Sequence, residues 1–298
     1  MQPLPDLTSF LTFIPQSRLW EAYVQGRKAI HVEYGNFSSE EPELKLTPIN
    51  RWGARVTSFD RKERFIVEGN LDPKTQDLHG KSLVATLPCD SPPPRKVYTA
   101  KEELRPKIDP DSISSEELWE RILMSLGWII ERLRGEHYQI KIWCGSEFRA
   151  YYNSLGSVMT SLFPLSKLKI SIRLTEGVFI KRAGAREGVE FFEEPLRRPM
   201  EDFLQDVQQA RVARKEKPIP EVLILDPEAM AMFIHEAIGH SSEGDNVLAD
   251  NSWLKALSEQ KIAPSNVTIV DSPKDFSSLG SYPFDDEGIL AQTTSVVK

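Results

Sequence analysis

The chain has 298 residues, 40% hydrophobic and 27% charged, with Lys+Arg 37 against Asp+Glu 44 and a formal net charge of -7. Such a length suits two or three modules of ordinary size. The acidic balance argues against a dedicated nucleic-acid binder, which carries a basic excess or stripe.

The N-terminal stretch Met1–Gln16 has no basic leader and is interrupted by prolines, so it reads poorly as a signal peptide. The longest apolar run, Ile122 to Ile130, is far short of the ~20 residues that cross a bilayer. Cys89 and Cys144, the only two cysteines, form no framework and fit a reducing compartment. A cytoplasmic protein without membrane or nucleic-acid partners is expected.

Residues Ser17–Ala29 have the spacing of a short amphipathic helix, and alternation from Ile30 predicts strands that continue through Trp52–Asp60 and Lys62–Asn70. From Leu71 to Pro110 periodicity is poor and proline frequent, including Ser91–Lys96, so a linker or long irregular connection is expected. A strong helix follows. Ser114 and Glu117 stand in capping-box spacing, and Gly135 marks its stop. Leu118, Ile122, Leu126, Ile129 and Leu133 recur every three or four residues and define one buried face, with Trp119 and Trp128 as core or partner-helix contacts.

Tyr138–Cys144 and Ser166–Gly177 read as strands. In the second, Leu168, Ile170, Ile172 and Leu174 share one face while Lys169, Ser171 and Arg173 share the other. Burial on one side predicts antiparallel sheet covered by a helix. Arg197–Glu216 reads as a surface helix, and Lys217–Glu221 as a boundary. The fold class is therefore α+β, antiparallel sheets with covering helices. Three units are expected, at 1–96, 97–218 and 219–298.

In the last unit, Glu221–Asp226 reads as a short apolar strand, Asp226 as a helix cap and Pro227 as the first helical residue. The helix that follows carries His235, Glu236 and His240 in a chain with only five histidines. Their spacing is His-Glu-x-x-x-His. Residues five apart stand ~140° apart around a straight helix, too far for one ion. Either the histidines do not share a metal, or a π-type turn or an early helix end at Gly239 brings them together. If they converge, zinc is the expected metal, since neutral imidazole suits it. Glu236 would then be the general base for a metal-activated water.

The segment His235–Asp245, HEAIGHSSEGD, resembles the metal motif of the TldD/PmbA family of metallopeptidases. The likeness continues upstream through Val222–His240 and downstream through Val267–Pro273 and Leu279–Val297, and more loosely to Asn50–Asp60. It implies that the last unit begins a metallopeptidase domain, that His235 and His240 are metal ligands, and that Glu236 is the catalytic glutamate. It also implies zinc as cofactor and flexible, unfolded or extended peptides as substrates. A homodimer, or a heterodimer with a related subunit, is implied as the assembly.

Glu243, Gly244 and Asp245 fall on the family's Glu-Gly-Asp, where a supporting role behind the ligands or a local structural one is open. The family's third ligand is a cysteine further toward the C-terminus, and Cys89 and Cys144 both precede the motif. Residues Ala291–Lys298 read as a strand cut off without a turn. The chain is thus expected to be a fragment, part of a split protein, or a degenerate relative. A non-catalytic peptide-binding or assembly subunit stands as the alternative function.

Overall fold

The computed structural model describes residues 19–60, 63–70, 83–85, 96–175, 177–192, 196–213, 222–257, 260–273 and 275–297, with the backbone alone for 63–70 and 83–85. Ser91–Arg95 and Cys89, the predicted boundary at Lys217–Glu221, and the N-terminal stretch as far as Arg18 lie outside these residues.

The strands are β1 (Trp20–Gly35), β2 (Glu43–Ser58), β3 (Glu63–Asn70), β4 (Leu83–Ala85), β5 (Thr99–Glu103), β6 (His137–Asn153), β7 (Val158–Leu174), β8 (Gly177–Ala185), β9 (Ile269–Asp271) and β10 (Thr294–Val297). Eight of them form one sheet in the order β4-β3-β2-β1-β6-β7-β5, with β8 also paired to β7. Every pair is antiparallel except β5 with β7, so the sheet is mixed at that edge. The α+β class holds. By its contacts the chain forms two compact units, residues 1–212 with 273–291, and residues 213–272 with 292–298.

Helices α1 (Ser115–Arg132) and α2 (Arg197–Ala210) belong to the first unit. The Ser114 Oγ accepts from the Glu117 N–H at 3.0 Å, the cap that the sequence predicts. Leu118, Ile122, Leu126, Ile129 and Leu133 are all buried, with Met200, Phe203 and Val207 of α2, in one core. This core includes Tyr138, Ile140 and Ile142 of β6 and Leu168, Ile170 and Ile172 of β7. One sheet face is therefore covered by helices, as alternation requires. Trp128 lies beneath the guanidinium groups of Arg132 and Arg197, at 5.3 and 5.8 Å, which makes it a contact of the two helices.

Several expectations need correction. Of the helix predicted at Ser17–Ala29, the part from Trp20 is instead the start of β1, which is bonded on one side to β2 and on the other to β6. Pairing on both edges outweighs a weak helical spacing. The connection from Leu71 to Pro110 contains β4 and β5. The helix expected over Arg197–Glu216 closes at Ala210. Val222–Asp226 has no regular structure, and Val222, Leu223 and Ile224 are exposed. The final strand, by contrast, does find a neighbour: β10 pairs antiparallel with β9, and Val297 is buried.

The second face of the sheet is occupied by residues 273–291 of the same unit. Phe276 meets Phe163 with ring centroids 5.5 Å apart, and Phe284 is buried with Tyr151 and Met159. Gly288 has φ +80 and a Cβ there would stand 2.2 Å from the Tyr151 ring, so both its conformation and its space exclude a side chain. Arg55 pairs with Asp286 at 2.9 Å.

A buried ionic group anchors this layer. Glu147 accepts from Arg27 at 2.7 Å, Arg149 at 3.1 Å and Arg186 at 3.3 Å. Arg186 in turn donates to the carbonyls of Leu279 and Ser281. Burial pushes the Glu147 carboxyl up, but the three guanidinium groups outweigh it and hold the group at about 2 against an ordinary 4.5. A depressed carboxyl contributes stability that is fully present above its unfolded value and lost as pH falls through its folded value. Stability should therefore fall as pH drops from about 4.5 to about 2. Glu147→Gln should lower the unfolding free energy at pH 7 by about 3 kcal/mol, leaving the buried Arg186 uncompensated, and flatten that acid slope. Urea titrations across pH measure both effects; equal slopes in the two proteins would contradict it.

Candidate metal centre

The site lies in the second unit, on helix α3 (Pro227–Ile234) and its continuation. The Asp226 carboxylate caps the helix by accepting from the Ala229 N–H at 2.7 Å, and Pro227 takes the first turn, where no N–H is needed. Next comes a π-turn over His235–Gly239, in which the His240 N–H donates to the His235 carbonyl, an i to i+5 bond. Gly239 keeps helical angles, φ -55 and ψ -64, so the helix does not end there. Of the two deformations that the spacing allows, the chain adopts the lengthened turn.

That turn brings the imidazoles of His235 and His240 to 4.6 Å between ring centroids, at 67° to one another. Ligating atoms of His235, Glu236 and His240 all lie within 4.8 Å of one another, and all three side chains are exposed. The His240 Nε2 stands 3.8 Å from the Glu236 carboxylate. On the other ring edge, the His240 Nδ1 lies 3.0 Å from Oε1 of Glu243. A carboxylate only accepts, so Nδ1 carries the proton and Nε2 keeps its lone pair for a cation. Glu243 is itself held by the Asn246 side-chain amide, which donates to its Oε2 at 2.9 Å. This carboxylate behind a histidine is the arrangement that fixes a metal ligand's tautomer and orientation.

Asp245, by contrast, works locally: its carboxylate accepts from the Asn246 N–H at 2.9 Å at the start of the short helix α4 (Gly244–Leu248). Sequence reasoning missed Asn246, Ser252 and Trp253, which bond to carbonyls of this helix end. Nothing in their spacing marks them. Cys144 belongs to the first unit's core, where burial pushes its thiol up to about 12, and among the described residues no cysteine joins the histidine group. Two imidazoles with adjacent carboxylates suit a borderline divalent cation, so the donor set fits zinc.

Two histidines and a glutamate gathered on a π-turned helix form a group that could hold a metal ion. Residues 222–298 match the sequence profile of the PmbA/TldA metallopeptidase C-terminal domain. A metalloprotease of Methanocaldococcus jannaschii is 39% identical over 87 residues, covering 28% of this chain and 19% of that protein. A metalloprotease TldD homolog of Haemophilus influenzae is 28% identical over 153 residues, 48% of this chain and 32% of that protein. The crystal structure of TldE from Thermococcus kodakarensis superposes with a TM-score of 0.56 at 16% identity, covering 97% of this chain and 66% of that one. The likeness to the PmbA/TldA metallopeptidases is thus carried by residues 222–298. The matched segments span a fifth to a third of those two metalloproteases' length, and the chain spans about two thirds of the solved TldE.

If the group holds zinc, Glu243→Ala should release the His240 ring and weaken that binding roughly ten-fold, the usual cost of removing a carboxylate behind a metal-bound histidine. Competition with a chromophoric chelator measures this; unchanged affinity would remove Glu243 from the centre.

Proposed function

We propose that the chain is a zinc-dependent peptidase that hydrolyses peptide bonds in unfolded or extended peptides. His235 and His240 would hold the metal and Glu236 would act as general base. The observation that carries this reading is the π-turn, which gathers both imidazoles and Glu236 in a segment matching a metallopeptidase domain. A bound zinc ion supplies Lewis acidity and a water of lowered pKa.

The chain's own residues do the rest. His235 and His240 present their rings from one side of the helix, and Glu243 keeps the Nε2 of His240 free. The Glu236 carboxylate lies within 4.8 Å of the ligating atoms of both imidazoles; it takes the proton of the attacking water and passes it to the leaving amine. Exposure of all three side chains suits entry of a flexible chain over a folded one. By family likeness the assembly is a dimer with an identical or related subunit, in the cytoplasm.

Glu236→Gln should lower cleavage of an unstructured peptide by a factor of about 10² to 10⁴ while the zinc content stays the same. Chelation should abolish cleavage by the native chain. Undiminished hydrolysis in the variant would remove Glu236 from the mechanism. Peptide binding that persists without metal and without cleavage would favour the non-catalytic subunit.

A further inference from the structure

A lengthened turn shifts main-chain bonds out of the i to i+4 pattern, and helix ends leave carbonyls in want of donors. In this chain the carbonyls of Ala237, Ile238, His240 and Ser241 draw side-chain donors from residues further along. The Ser242 Oγ donates to the Ile238 carbonyl at 2.7 Å, the Asn246 amide to that of His240 at 2.9 Å, and the Ser252 hydroxyl to that of Ser241. The Trp253 indole N–H donates to the Ala237 carbonyl at 3.0 Å.

This last bond has two distinguishing features. Ala237 is the residue after Glu236, inside the π-turn, while Trp253 opens a separate 3₁₀ turn at Trp253–Leu257. The indole is therefore an outside strut against the turn that aligns the imidazoles. An indole N–H is a donor only, and its rigid ring fixes where that donor points.

We infer that Trp253 is a positioning residue of the metal centre, holding the His235–Gly239 turn in its lengthened form before metal arrives. The part concerning the metal rests on the zinc reading above; the hold on the turn stands apart from it. Preorganisation of this kind leaves less ordering for the ion to impose.

The test is Trp253→Phe, which keeps the ring and deletes the donor. Two quantities are measured on the 298-residue chain: amide hydrogen exchange at residues 238–242 without metal, and zinc affinity by chelator competition. The expected result is exchange at the His240 amide at least several-fold faster, with α1 unchanged, and zinc binding roughly ten-fold weaker. Unchanged exchange at His240 overturns the inference, whatever the affinity does. Faster exchange with unchanged affinity also overturns it, because the turn would then be irrelevant to the metal. If the native chain binds no zinc at all, the metal role of Trp253 falls together with the zinc reading. Exchange would then decide its hold on the turn alone.

Discussion

One main-chain hydrogen bond, from the His240 N–H to the His235 carbonyl, governs what this chain can do. A regular α-helix would set the two imidazoles ~140° apart. Widening a single turn instead stacks them edge to face at 4.6 Å and leaves Glu236 beside them. π-turns are rare and less favourable than regular helix, and they persist where the surroundings support them. The support is visible here. Asp226 caps the helix start, and side chains between Ser242 and Trp253 take up carbonyls at its far end.

The two units rest on different physics. In the first, a broad sheet is sealed on one face by two amphipathic helices and on the other by residues 273–291, which Glu147 and its three arginines help to fix. Apolar burial dominates there, and its buried charges, Glu21, Glu147 and Arg186, are paired. In the second, helix α3 has no buried residue, and Met232 and Phe233 are exposed alongside His235 and Glu236. Order there comes from caps and side-chain to main-chain bonds. The histidine group thus sits on an exposed, locally braced segment.

Much of this was legible from residues alone. The helix with Leu118, Ile122 and Leu126 on one side, and the strand with Leu168, Ile170 and Ile172, follow from period and are found in place. The histidine pair was open on spacing alone and was favoured as a metal motif by its resemblance to the TldD/PmbA segment; of the two deformations that the spacing allowed, the lengthened turn is present. Trp20–Ala29 was misread because its spacing fits a helix weakly, whereas its conformation is set by two neighbours distant in sequence, β2 and β6. Val222–Ile224 shows the opposite failure. Its residues are good strand formers, but a strand exists only against a neighbour, and none among the described residues pairs with it. Trp253 was illegible for a further reason: its partner is a carbonyl, and carbonyls leave no trace in side-chain pattern.

The central claim is that the lengthened turn makes His235 and His240 ligands of one ion. The most direct test is zinc stoichiometry of the purified chain, together with X-ray absorption at the zinc edge to count imidazoles, for the native protein and for His235→Ala/His240→Ala. The account predicts one zinc per chain with two imidazole ligands, lost in the double variant. Zinc retained by the double variant, or a native spectrum without imidazole, would contradict it.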